Sequence, residues 1–360
     1  MIQPIGRGLI LTALVMFFLT GCGGIGPNTV ARDRFEYTHA ISESWKRQML
    51  LNMVKLRYSD TPVFLDVASV INQYALEGEV QLGASWSDGL LGDSQTVGGR
   101  GKYTDRPTIT YQPLMGERFT RSLMTPIPPP SILFLVQSGW RADAVFQLCM
   151  QAVNGIYNRS GGRIPQHPGD PDFYRLITSL RKIQENMAMG MRIRKTEDRE
   201  EATVLFFRKK NIDPEIEAER ARVKRLLGLN PELQEFKVVY GNFAKDDTEI
   251  AILSRSMLEI LLELSSYIDV PEAHVAEQRA GPTLAEDKDI TADLQPLIRV
   301  QSDREEPDDA FVEVRYRDHW FWIDDRDFMS KRTFTFLMFL FTLAETGERQ
   351  IAPVLTVPAG

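Results

Sequence analysis

The sequence predicts an α+β fold, with a mixed, mainly antiparallel sheet and packed helices. Segments of helical periodicity alternate with short β-branched or aromatic segments, but without the regular strand–helix–strand rhythm of a doubly wound sheet. Hydrophobic residues make up 43% of the 360 residues and charged residues 25%, as in ordinary globular proteins. The net charge of −7 argues against a general nucleic-acid binder.

The first part of the body, residues 35–157, is predicted to hold helices at both ends and strands between them. Apolar residues at helical spacing predict a helix over 42–58, before the turn Ser59–Pro62. Alternating residues predict an antiparallel hairpin of 77–86 with 95–104. The other predicted elements are strands at 63–74 and 108–112 and helices at 131–137 and 141–154.

A Pro- and Gly-containing segment, residues 158–171, is the predicted linker to a C-terminal α+β domain of residues 172–360. It ends in Asp170-Pro171, which is typical of a helix start. Ser256 and Glu259 have the spacing of a capping box. The predicted strands are 190–194, 202–207, 236–240, 249–253, 297–301, 311–316, 320–323 and 351–357; the predicted helices begin at 171, 214, 256 and 325, and 278–295 is a predicted loop.

The N-terminus has the pattern of an export signal, residues 1–21. Arg7 precedes an apolar run from Leu9 to Leu19, which is too short to span a bilayer. The run ends in Leu19-Thr20-Gly21-Cys22, which resembles the lipobox of bacterial lipoprotein precursors. The resemblance implies cleavage before Cys22, acylation of its thiol with diacylglycerol and palmitate, and a short tether over residues 22–34.

The resemblance also implies a location. An acylated Cys22 would bind membrane lipid, because two or more acyl chains give a stable anchor. Gly23 stands where an Asp commonly signals retention at the inner membrane of Gram-negative bacteria. We therefore expect a cell-envelope protein, at the outer membrane and facing the periplasm.

The candidate chemistry is sparse. His319 lies near Asp318, Asp324 and Asp325, from which a metal or sugar site could be built, although a hairpin turn and a helix cap explain the same residues better. The other histidines are His39, His167 and His274, and none has the spacing of a zinc motif. We predict no metal and no cofactor, and we expect Cys149 to be a buried structural thiol.

Two further resemblances carry little function. Gly92-Asp93-Ser94 resembles the first block of GDS serine esterases, but the chain lacks the Asp-x-x-His that would activate the serine. The segment Leu50–Pro62 resembles a block in uncharacterised bacterial envelope lipoproteins, from which no activity follows.

The sequence contains no catalytic motif, so it leaves an enzymatic role open and favours a role in binding or assembly. Such a role could involve an envelope protein partner. Two alternatives stand beside this interpretation. One is an envelope hydrolase that acts on lipid, glycan or peptide. The other is a subunit of an oligomeric outer-membrane pore or secretion complex, to which the predicted hairpin would contribute.

Overall fold

The computed structural model describes residues 30–71, 74–85, 94–105, 108–161, 168–195, 201–208, 213–283 and 297–344. The architecture is α+β with mainly antiparallel sheets, which confirms the predicted fold class. The chain divides into two compact units, one formed by residues 1–45 and 65–113 and the other by residues 46–64 and 114–360. The export signal, Cys22 and His167 lie outside the described residues.

The first unit contains the strands β1 (Leu65–Ile71), β2 (Tyr74–Ser85), β3 (Ser94–Asp105) and β4 (Thr108–Pro113). β1 pairs with β4 and β2 with β3, both antiparallel. The β2–β3 register runs without a shift until Ser85 faces Ser94, so the predicted hairpin is confirmed. Gly92 and Asp93 of the GDS-like block precede β3 and lie outside the described residues.

The first helix, α1 (Val30–Arg57), begins well before the predicted start at residue 42. From Arg34 to Glu43 the helix is mostly exposed and polar, so no apolar stripe marks this part in the sequence. Residues 30–34, which we assigned to the tether, are therefore helical. After the helix, Asn52 holds the chain at Val63 through two hydrogen bonds of 2.8 Å between its amide and the Val63 backbone.

The second unit is built on a six-stranded sheet in the order β6-β5-β10-β9-β8-β7. All neighbouring strands are antiparallel except β9 and β10. The strands are β5 (Met150–Val153), β6 (Ile156–Tyr157), β7 (Met189–Lys195), β8 (Glu201–Phe207), β9 (Glu235–Tyr240) and β10 (Glu249–Ser254).

Two helices of the second unit begin at residues whose side chains bind the free backbone amides of the first turn. The predicted capping box of Ser256 and Glu259 is formed in full. Asp213 accepts a hydrogen bond from the Glu215 amide, 2.9 Å away. The helices are α2 (Gly116–Phe119), continued by a π-helical turn (Thr120–Met124), α3 (Pro129–Gln137), α4 (Ala142–Cys149), α5 (Pro171–Glu185), α6 (Pro214–Leu226), α7 (Met257–Ser265) and α8 (Glu272–Ala276). None of the helices that the structure describes has the length and apolarity to cross a bilayer.

A second sheet and the last described helix carry residues of the candidate sites. The sheet is antiparallel, in the order β11-β13-β12, with β11 (Gln301–Asp303), β12 (Ala310–Tyr316) and β13 (His319–Asp324), and α9 (Phe328–Ala344) follows it. One face of α9 is buried: Phe341 stacks on Phe64 with ring centroids 5.2 Å apart, and Phe334 meets Phe311 edge-on. Phe336 lies 4.5 Å from the ring of Trp140.

The predicted helix over 141–154 is wrong in its second half. The chain leaves α4 after Cys149 and forms β5, which turns into β6 through Asn154 and Gly155. Both turn residues have positive φ, 46° and 80°, as the two-residue hairpin turn that suits Asn-Gly requires. Cys149 itself is buried and unpaired, as expected.

The predicted linker over 158–171 does not separate two sheets. β5 and β6 precede it, and β7 to β10, which follow it, belong to the same sheet. Its two ends are joined, because the Asp170 carboxylate accepts a hydrogen bond of 2.6 Å from the Tyr157 amide. Asp170 is thus the residue before α5, but its side chain holds β6 instead of capping the helix.

The fold predicts that two phenylalanines in or near β9 differ greatly in their contribution to stability. Phe236 is fully buried and Phe243 is 72% exposed. We expect Phe236→Ala to lower the free energy of unfolding by about 3–5 kcal/mol through lost burial and a cavity, and Phe243→Ala to lower it by less than about 1 kcal/mol. Urea denaturation followed by circular dichroism measures both. Equal losses would contradict the position of β9 in the core.

Candidate functional site

The structure brings His319 next to His274, which is distant in sequence. His319 opens β13 directly after the turn residues Arg317 and Asp318, which both have positive φ. Its ring meets the ring of His274 edge-on, with centroids 4.9 Å apart. His274 lies on α8, is buried, and has its Nδ1 2.7 Å from the Tyr58 hydroxyl oxygen.

The three predicted carboxylates bind other groups. Asp318 is exposed and lies 3.5 Å from Arg315. Asp324 accepts a hydrogen bond from the Arg326 amide, and Asp325 pairs with Lys331 at 2.6 Å. Within the described ranges, neither imidazole hydrogen-bonds to a carboxylate or a serine, and no group of acidic, His or Cys side chains is arranged to hold a metal ion.

The electrostatics of this histidine cluster favour a neutral imidazole. Burial lowers the pKa of His274, and the charges of His319, Arg279 and Arg317 lower it further, against an opposing effect of Glu277. Burial also raises the pKa of Tyr58. A protonated Tyr58 hydroxyl can therefore donate to an unprotonated Nδ1, which fixes the tautomer of His274.

Tyr58 is enclosed on several sides. Its ring meets Phe321 and Tyr316, and the Arg317 guanidinium lies 5.1 Å from its centroid. The Tyr316 hydroxyl donates in turn to the Asp60 carboxylate at 2.8 Å. The cluster therefore ties the end of α1 to α8 and to the β12–β13 turn, and we assign it a structural role.

A second candidate site, which the sequence did not indicate, is an open groove of about 500 Å³ beside α9. We call it the α9 groove. Its lining residues on the helix, Phe328, Lys331, Arg332 and Thr335, follow the spacing of one helical face. Trp140, in the connection between α3 and α4, and Phe311 of β12 form other parts of the wall.

Every charged residue that lines the α9 groove is basic. Lys331 pairs with Asp325 and lies 5.3 Å from the centroid of Phe311, and Lys46 lies 4.6 Å from the same centroid. The Arg332 guanidinium is 6.0 Å from the ring of Trp140. In the part of the chain that the structure describes, no carboxylate pairs with Arg332.

The groove combines an aromatic wall with an uncompensated cation. Phe328 is 68% exposed at the site, although a side chain of this size is normally buried. Aromatic faces and a free guanidinium together suit an anionic ligand that has an apolar or planar part. The sequence contains one weak signal for this groove, the basic pair Lys331-Arg332 between Phe328 and Thr335. We predicted a helix over these residues but no binding site.

Comparison of the chain with protein-family models, with curated proteins and with solved structures found no match.

The histidine cluster predicts how stability depends on pH. Because the pKa of His274 in the folded state is below its ordinary 6.5, the unfolded chain binds more protons as the pH falls through that value. We therefore expect the free energy of unfolding to decrease from about pH 7.5 to about pH 5. His274→Gln should remove part of this decrease.

Urea denaturation at the two pH values measures the effect. The matched control is His39→Gln, because His39 is exposed on α1 and should leave the decrease as it is in the wild-type protein. The same decrease in His274→Gln as in the wild-type protein would contradict the assignment of a neutral, buried His274.

Proposed function

We propose that this chain is a lipid-anchored protein of the cell envelope with a binding role, and that the α9 groove takes an anionic ligand. The observation that carries the binding role is Arg332, which is half-buried over Trp140 and has no carboxylate partner in the described part of the chain. The proposal of an anchor rests on the lipobox-like Leu19–Cys22 alone. Outer-membrane attachment, with the body facing the periplasm, follows from Gly23 in the same resemblance.

Charge supports the choice of ligand. The chain as a whole has a net charge of −7, so its long-range field repels anions. The two charged residues that line the groove, Lys331 and Arg332, are nevertheless both basic, and Lys331 is also paired with Asp325. An anion that binds there gains charge-assisted hydrogen bonds from Arg332, which are roughly twice as strong as neutral ones.

The aromatic wall adds a second requirement. Trp140, Phe311 and Phe328 contribute aromatic rings to the lining, beside Arg332 and Lys331. A small inorganic ion would leave the exposed parts of these rings in contact with water, whereas a ligand with an apolar part covers them. Covering apolar surface contributes roughly 25 cal/mol per Å². The groove thus favours an organic anion over a simple one.

The anchor predicts the effect of Cys22→Ser. Loss of the thiol prevents acylation, and without acyl chains nothing in the proposal holds the body at the bilayer. We expect the wild-type protein to sediment with membranes and Cys22→Ser to lose most of that sedimentation. Fractionation followed by density separation of the two membranes measures this result.

The control for the anchor is the other cysteine. Cys149→Ala removes a buried thiol of α4 and should sediment like the wild-type protein. If Cys22→Ser is cut at the same bond and sediments unchanged, the proposed anchor is wrong.

The groove predicts the effect of Arg332→Gln on an anionic aromatic probe. We expect naphthalene-2-sulfonate to bind the wild-type chain and to bind Arg332→Gln about tenfold more weakly or worse, because a hydrogen bond to a charged group is lost. Isothermal titration of the full chain in detergent-free nanodiscs measures the dissociation constants, with empty nanodiscs as the blank.

Arg225→Gln is the matched control for Arg332→Gln. Arg225 is an exposed arginine of α6 without a carboxylate partner among the described residues, and it does not line the groove. Its replacement should leave binding unchanged. Equal affinities of wild-type protein and Arg332→Gln for the probe would remove the support for a ligand in the α9 groove.

A further inference from the structure

A narrow apolar slot adjoins the α9 groove. The slot has a volume of about 30 Å³ and shares two lining residues, Trp140 and Arg332, with the groove. A water molecule needs roughly 10–15 Å³ of such space. The slot therefore has room for the end of a thin group and not for a ring.

The slot is lined mainly by apolar side chains. Ala144, Val145 and Leu148 come from α4, Leu297 precedes β11, and Phe336 comes from α9. Arg141 also lines the slot, and its guanidinium is paired with Asp143 at 2.7 Å. Among the residues that the structure describes, Arg332 is thus the lining cation of the slot that has no carboxylate partner.

Trp140 forms the wall between groove and slot. Its backbone is fixed, because its carbonyl oxygen accepts a hydrogen bond of 2.7 Å from the Gln184 side chain. Its ring is held by Phe336 on one side and lies near the Arg332 guanidinium. Met329, a flexible side chain that fills irregular gaps, also lines the slot. The slot can widen by a change in Met329 while the backbone around Trp140 stays in place.

We infer that the ligand of the α9 groove is a single-chain anionic amphiphile. Its carboxylate or phosphate binds Arg332, its chain crosses the face of Trp140, and its terminal methyl group enters the slot. This ligand class rests on the proposed function, since it is assigned to the same site. An unbranched chain fits best, because the slot is narrow.

The alternative occupant is an acidic segment of a protein partner. It would place a carboxylate side chain on Arg332 and a bulkier apolar side chain beside it. Such a segment has no continuous alkyl chain, so a series of fatty acids of growing length separates the two occupants.

The test measures dissociation constants of acetate, butanoate, hexanoate and octanoate for the full chain in nanodiscs, with empty nanodiscs as the blank. We expect the affinity to rise with chain length by up to about fourfold per added methylene. Octyltrimethylammonium, which has the same chain and the opposite charge, should bind at least about tenfold more weakly than octanoate.

Two variants divide the site into its parts. Arg332→Gln should weaken the binding of every acid in the series by a similar factor, because it removes the contact to the head group. Ala144→Phe fills the slot and should abolish the dependence on chain length, and Ala144→Leu should reduce it. The control Ala276→Phe adds the same ring at an exposed position of α8 and should change nothing. Circular dichroism verifies that each variant is folded.

The outcomes separate this inference from the proposed function. If naphthalene-2-sulfonate binding depends on Arg332 but octanoate binds no better than acetate, the groove binds anions, and the inference that its ligand is an amphiphile is wrong. If the affinity of both Ala144 variants still rises with the chain length of the acid, the alkyl chain does not enter the slot. If no probe depends on Arg332, the proposed function and the inference both fail.

Discussion

Burial of one face of α9 is the constraint on which the candidate site depends. Phe334, Leu337 and Phe341 recur on that face and are almost fully buried, each contributing on the order of 1.5–3 kcal/mol by leaving water. Rotation of the helix about its axis would expose them. Because 3.6 residues make one turn of an α-helix, fixing this face also fixes the directions in which Lys331 and Arg332 leave the helix axis. The groove therefore results from the core, which fixes the backbone of Arg332 on the groove side of α9.

The treatment of other charges in the second unit shows why Arg332 is unusual. Buried carboxylates have several partners: Glu219 contacts Ser179, Lys182 and Arg222, and Asp143 contacts two arginines. These partners lower the pKa of both carboxyl groups against the opposing effect of burial. The half-buried arginines Arg141, Arg159 and Arg181 each contact a carboxylate, whereas Arg57 donates to the carbonyl oxygens of Ile268 and Gly281. Since a partly desolvated charge without a partner costs free energy, a free guanidinium over an aromatic ring is a feature that a ligand would compensate.

Elements that depend on neighbouring residues could be predicted from the sequence. Elements that depend on contacts between residues distant in sequence could not. The capping box at Ser256, the proline-started helix α5 and the β2–β3 hairpin are encoded within a few residues, so pattern and turn chemistry were sufficient to find them. Residues 150–153 have an apolar pattern that fits either a helix or a buried strand, and pairing with β10 decides between the two. The Asn154-Gly155 turn signal was present and would have marked the strand. His274 meets His319, and Arg332 meets Trp140, only through the tertiary fold, so no spacing in the sequence could reveal either pair.

The proposed anchor and the α9 groove complement each other energetically. The groove is open, and of the cations that line it only Arg332 has no carboxylate partner among the residues the structure describes, so its affinity for a dissolved anion should be modest. A protein held at a bilayer meets amphiphiles that partition into the same surface, and restriction to one surface raises their effective concentration. A modest site is then sufficient for occupancy and still releases its ligand, because a shallow groove encloses only part of an alkyl chain. Deep enclosure would give higher affinity but slower exchange with the membrane. An open groove joined to a slot that takes only the end of the chain is therefore the geometry that suits reversible binding at a lipid surface.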